Sequence, residues 1–105
     1  MTRDEIISVS KAEGGMFIVI PSVVKMDGDL PLSAQMLYGI ITWKCNNCAY
    51  TWATNQELGD SLSLSQKRVS ALVSKLVNHG YISREIKRDP KTNEVLERRL
   101  YPLVR

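Results

Sequence analysis

The sequence predicts a small α+β domain: a group of helices followed by a C-terminal β-hairpin, with one short strand near the N-terminus. Three observations predict it. Thr54 to Ile82 reads as two short helices joined by a tight turn. After Gly80 the hydrophobic period changes from helical to extended, which makes two strands around a turn. Met16 to Ile20 is a short apolar run ended by Pro21, the pattern of a buried strand.

Residues 1–15 are polar and end in Gly14-Gly15. They read as a flexible arm with a short helical turn around Ile6 and Ile7, leaving 16–105 as the domain. Ser22 to Lys25 fits one helical turn, and Asp27-Gly28-Asp29 is a turn signal. Pro31 suits the first turn of a helix. Ala34, Leu37, Tyr38, Ile41 and Cys45 form its apolar stripe, and Asn46-Asn47 its stop. Ala49 to Trp52 is short and aromatic, a strand leading into the next helix.

Thr54 and Glu57 have the spacing of a capping box. Leu58 and Leu62 lie one turn apart and supply one apolar face. Ser63-Leu64-Ser65 is turn-prone, and Ser65 is a good N-cap for a second helix. Val69, Leu72, Val73, Leu76 and Val77 follow its amphipathic period. Gly80 can end it in the left-handed conformation. Tyr81 to Arg88 and Glu94 to Leu103 are the two strands, joined by the turn formers Asp89-Pro90-Lys91-Thr92-Asn93. Ile82 and Ile86 share one strand face, as do Leu96 and Leu100. Two helices so joined make a helix-turn-helix, whose second helix enters a DNA groove; a basic hairpin after it is a wing.

At 105 residues the chain is one domain, with 44% hydrophobic and 24% charged residues, the balance of a soluble globular protein. No apolar run reaches the ~20 residues of a membrane span. No secretory pattern opens the chain, and two cysteines fit a reducing cytoplasm. The net charge of +3 hides an asymmetry. Residues 1–65 hold four Lys/Arg and seven Asp/Glu, a net −3; residues 66–105 hold ten and four, a net +6. The positive half starts at the second helix of the pair, and such a patch attracts a polyanion.

With these segments placed, the chain resembles the N-terminal winged-helix DNA-binding domain of phage and plasmid replication initiators and replisome organisers. It is more loosely similar to winged-helix regulators in general. The resemblance covers about Met16 to Leu103: FIVIP at 17–21, LPLSAQMLYGII at 30–41, AYTWATNQELGDSL at 49–62, LSQKRVSALVSKLVNHGYISRE at 64–85 and ERRLYPL at 97–103. YTWATNQEL and the passage from LSQKRV to HGYI are its specific parts. Two positions stand out against the family pattern. Ser63 occupies a turn position where Gly is usual, because Gly tolerates positive φ. Gly59 is the small residue that lets the two helices approach. The resemblance implies a winged helix-turn-helix of three main helices, double-stranded DNA as partner, and a role at a replication origin. It also implies further domains downstream of Arg105. Self-association as a dimer and replication proteins are further partners it leaves open. A transcriptional regulator, or a winged helix used for protein contacts, fits the same parts.

On the second helix the face opposite the apolar stripe presents Gln66, Lys67, Ser70, Ala71, Ser74 and Asn78. Gln pairs with adenine, and Lys with guanine or phosphate. Ser65, Arg68 and Lys75 extend this candidate DNA surface. On the wing the candidates are Lys87, Arg88, Lys91 and Arg99. Alternation sets Arg84 and Arg98 with the apolar residues, and Lys87 and Arg99 on the other face. The plainer readings are a solvated helix face and charges that keep an edge hairpin from aggregating. Cys45-Asn46-Asn47-Cys48 is half of a zinc ligand set without the other half, so Cys45 reads as a core thiol. His79 suits the helix C-terminus. Trp43, Tyr50 and Trp52 read as packing anchors before base-stacking platforms. No phosphate loop, paired carboxylates or nucleophile motif occurs, so neither an enzyme nor a cofactor is expected.

Overall fold

The computed structural model describes residues 5–9, 16–45 and 48–103. Among them two antiparallel hairpins bracket four helices around one core, an α+β arrangement. Strands β1 (Glu5–Val9) and β2 (Met16–Ile20) pair with Ile7 opposite Ile18 and Glu5 opposite Ile20. This corrects the expected arm: Ile6 and Ile7 are extended, not helical, and the N-terminal strand is not single. The reason is a hydrogen-bonding requirement. A lone strand leaves backbone groups unpaired along both edges, and the segment 6–9, in which Ile6, Ile7 and Val9 are β-branched, supplies a partner for one of them. Gly14-Gly15 and Asn46-Asn47 lie outside the described residues.

Ile18 and Ile20 are fully buried and Val19 between them is exposed, the two-residue period of a one-sided strand. Pro21 ends β2, and its carbonyl accepts the first bonds of α1 (Ser22–Lys25). The turn follows as expected, with Asp27 Oδ1 accepting the Asp29 N–H at 2.9 Å. The carbonyl of Pro31 then accepts from Ala34 and Gln35 to start α2 (Leu32–Cys45).

The α2 stripe is wider than its period implied. Gly39 and Ile40 are buried along with Ala34, Leu37, Tyr38, Ile41 and Cys45. The helix is the centre of the molecule, packed between β2 and a later helix, so two faces are covered. At Gly39 an added Cβ would lie 3.0 Å from the Ile18 side chain, which is how closely β2 approaches.

Residues 49–52 do not form the expected strand. Only Thr51 pairs, exchanging two 3.0 Å backbone bonds with Leu100. Thr51 Oγ1 accepts the Ala53 N–H at 3.2 Å, and this local bond turns the chain toward α3 (Asn55–Asp60). The capping box is made: the Glu57 N–H donates to Thr54 Oγ1 at 3.1 Å, and the Thr54 N–H to Glu57 Oε1 at 3.4 Å.

In the turn after α3, Ser63 has φ +56°, the left-handed region in which Gly is usual at this position of the resembled pattern. Gly59 lies under Leu64, whose N–H donates to the Gly59 carbonyl; a Cβ there would meet the Leu64 carbonyl and, at 3.1 Å, Val69. Helix α4 (Gln66–Asn78) is capped by Ser65, whose Oγ accepts the Arg68 N–H at 3.1 Å. It ends in a Schellman motif. Gly80 has φ +79°, its N–H donates to Val77, and the Tyr81 N–H donates to Leu76.

Strands β3 (Ile82–Arg88) and β4 (Val95–Pro102) pair with Arg84 opposite Leu100 and Ile86 opposite Arg98. A bulge near the tip leaves Leu96 unpaired between Val95 and Glu97. Asp89 organises the turn, its Oδ1 accepting from Lys91 and Thr92, and Asn93 takes φ +62°. Ile82 and Leu100 are buried in the core, whereas Ile86 and Leu96 extend their faces past it into solvent.

Candidate nucleic-acid interface

Val69, Leu72, Val73 and Leu76 turn one side of α4 into the core, so its opposite side must face outward. Gln66, Lys67, Ser70 and Ala71 are exposed on it, and Ser74 is half-buried. Arg68 is exposed and Lys75 half-buried; seven residues apart, they sit two turns from each other along one flank. The other flank meets the hairpin, where Arg84 Nη1 donates to Ser74 Oγ at 3.5 Å. A polar face thus carries cations on both sides. Ser65 is committed to its own helix as the cap.

On the hairpin, Arg88 and Lys91 are exposed at the tip. Arg88 donates to the Asn93 carbonyl at 3.2 Å, which steadies the turn without neutralising the charge. The register places Lys87 and Arg99 on the face turned away from α4, as alternation implied. Arg99 is not available in the way its sequence position suggested. Its Nε donates to Glu97 Oε1 at 2.6 Å, and its guanidinium lies 4.7 Å from the Tyr50 ring centre. Trp52 Nε1 donates to the same Glu97 oxygen at 2.7 Å. These bonds, Arg99's first, hold the Glu97 carboxyl below its ordinary value. Tyr50 and Trp52 are therefore anchors of β4, with Tyr101 5.3 Å from Tyr50.

Two arrangements were not foreseen. Arg98 reaches from the inner face of β4 to Asn55 Oδ1 and the Ala53 carbonyl, both at 2.6 Å, and braces the hairpin against the start of α3. Its parity with Leu100 was the available signal. Asp27 joins the first turn to the end of α4: His79 Nδ1 lies 2.9 Å from Asp27 Oδ2, and the Tyr81 hydroxyl donates to the same oxygen at 2.8 Å. The bonds to His79 and Tyr81 pull the Asp27 carboxyl down to about 2. Burial and this carboxylate push Tyr81 up. Nothing in a turn signal announces a partner 52 residues away.

Cys45 closes the α2 stripe as a buried thiol, and burial, with Cys48 nearby, raises its pKa. Among the described residues no group of His, Cys, Asp and Glu is placed to hold a metal, and no helix is long and apolar enough to cross a membrane. Compared with family models, curated proteins and solved structures, the chain matches none of them significantly.

Proposed function

We propose that α2, α3 and α4 with the β3–β4 hairpin act as a winged helix-turn-helix that binds double-stranded DNA, α4 in the major groove and the hairpin as wing. The observation that carries this is the outward face of α4: polar, built of short side chains around Ser70 and Ala71, and flanked by Arg68, Lys75 and Arg84. The positive half of the chain coincides with these elements. The sequence resemblance supports a role as the origin-binding module of a phage, plasmid or mobile-element replication initiator. A transcriptional regulator would read DNA with the same face.

The test is a binding titration against salt, using origin and promoter fragments of the source replicon and scrambled duplexes. Gln66→Ala or Ser70→Ala should weaken cognate binding by about 1–3 kcal/mol per base contact and leave scrambled binding nearly unchanged. Equal losses on both would show that α4 does not read bases. Arg88→Ala with Lys91→Ala should weaken all duplexes alike and flatten the salt slope by up to ~2. An unchanged slope would remove the hairpin from the DNA interface.

A further inference from the structure

The hairpin face turned toward the helices stays apolar after it leaves the core. Ile86, Val95 and Leu96 are 40%, 53% and 57% exposed. With Trp52, itself 58% exposed, they line an open groove of about 760 Å³, bounded on its far side by Asn55 and Gln66 at the starts of α3 and α4. Four exposed large apolar side chains on one concavity are more than scattered surface hydrophobics.

The groove also carries a cation that no carboxylate of the described residues pairs with. Arg98 lines it, and its two short bonds go to neutral acceptors. Arg84 lies on the same strand face and bonds neutral Ser74. Among the described residues no carboxylate pairs with either. Burial, and the Arg84 charge beside it, push the ionisation of Arg98 down, the sign of a cation short of a partner. Glu97, the acid on the rim, is occupied by Trp52 and Arg99.

We propose that this groove docks a short peptide segment of a partner protein, with apolar side chains against Ile86, Leu96 and Trp52 and a carboxylate at Arg98. The groove is concave and mostly apolar, so a chain of side chains fills it, whereas phosphates of a duplex would leave the apolar wall without a matching surface. The proposal does not depend on the DNA reading.

A random-peptide display selection on the whole chain tests it, followed by anisotropy titration of a recovered peptide, labelled, against wild type and variants. Recovered peptides should combine Leu, Ile or aromatic residues with Asp or Glu. Ile86→Ser and Leu96→Ser should each weaken the peptide on the order of tenfold, with circular dichroism unchanged. Replacing the peptide's acid by its amide should weaken binding to wild type and have no effect on Arg98→Gln. Failure to enrich any peptide, recovery of peptides without acids, or indifference to Leu96→Ser would overturn the proposal. So would loss of duplex affinity in Leu96→Ser matched by displacement of the peptide by duplex DNA, which would assign the groove to DNA. No duplex binding by the wild-type chain, with peptide binding retained, would count against the DNA reading alone.

Discussion

Single residues decide two features of this molecule. Gly59 is the clearer. Alanine there would gain ~1 kcal/mol of helix propensity. Its Cβ would also press on the Leu64 carbonyl, which is backbone and cannot swing away, and on Val69. Overpacking of this kind costs about 1–3 kcal/mol, so Gly59→Ala should lower the urea midpoint at unchanged m. Asp27 is the other. Its carboxyl sits at about 2 in the folded chain against an ordinary 3.8. A depressed carboxyl supports the fold above its unfolded value and loses that support as pH falls through the folded one. Wild type should therefore be more stable than Asp27→Asn at neutral pH, and the gap should close between about pH 4 and 2. Thermal melts across that range check it; a gap constant with pH would mean that the ionised carboxylate is not what holds His79 and Tyr81.

The elements depend on how their ends are closed. α4 stops because Gly80 adopts φ +79° and lets two N–H groups turn back to Val77 and Leu76. Gly28 lies in a turn with open space around it and no such φ. Gly80→Ala should cost about 1–2 kcal/mol, since a Cβ is penalised in the left-handed region, while Gly28→Ala should be close to neutral. Equal effects in chemical denaturation would show that the cap conformation is not what limits the helix. Much of this level was legible in advance. The capping box at Thr54, the N-cap at Ser65, the stop at Gly80 and the strand faces of the hairpin all follow from local chemistry that short segments carry with them; the positive φ at Ser63 was signalled by the family pattern, and the bulge at Leu96 by neither. The segment 49–52 was misjudged because β-propensity is a statement about packing partners, and only Thr51 has one.

At the scale of the whole molecule, α2 joins the two hairpins into one core. That core needs no cross-link: Cys45 is buried as a free thiol and Cys48 is free and exposed. Excess chelator should leave the melting midpoint unchanged, and a lowered midpoint, or stoichiometric zinc in purified protein, would show that a metal contributes to the fold. The candidate interface was half legible. The polar face of α4 was visible as the complement of a helical period. The two-residue strand period already sets Glu97 beside Arg99 on one face, but that Tyr50 and Trp52 close over the pair depends on which chain segment lies beside β4, and no local pattern reports that.

By itself the sequence determined the helices, their caps and turns, the hairpin and the outward face of α4, because each follows from bonds and periodicities within a few residues. Only the tertiary structure decided that Glu5–Val9 would pair with β2, that Asp27 would meet His79 and Tyr81, that Arg98 would brace α3, and that Ile86, Leu96 and Trp52 would share a groove. Those contacts join segments far apart in the chain, and their partners are chosen by packing around a common core, which local propensity does not encode.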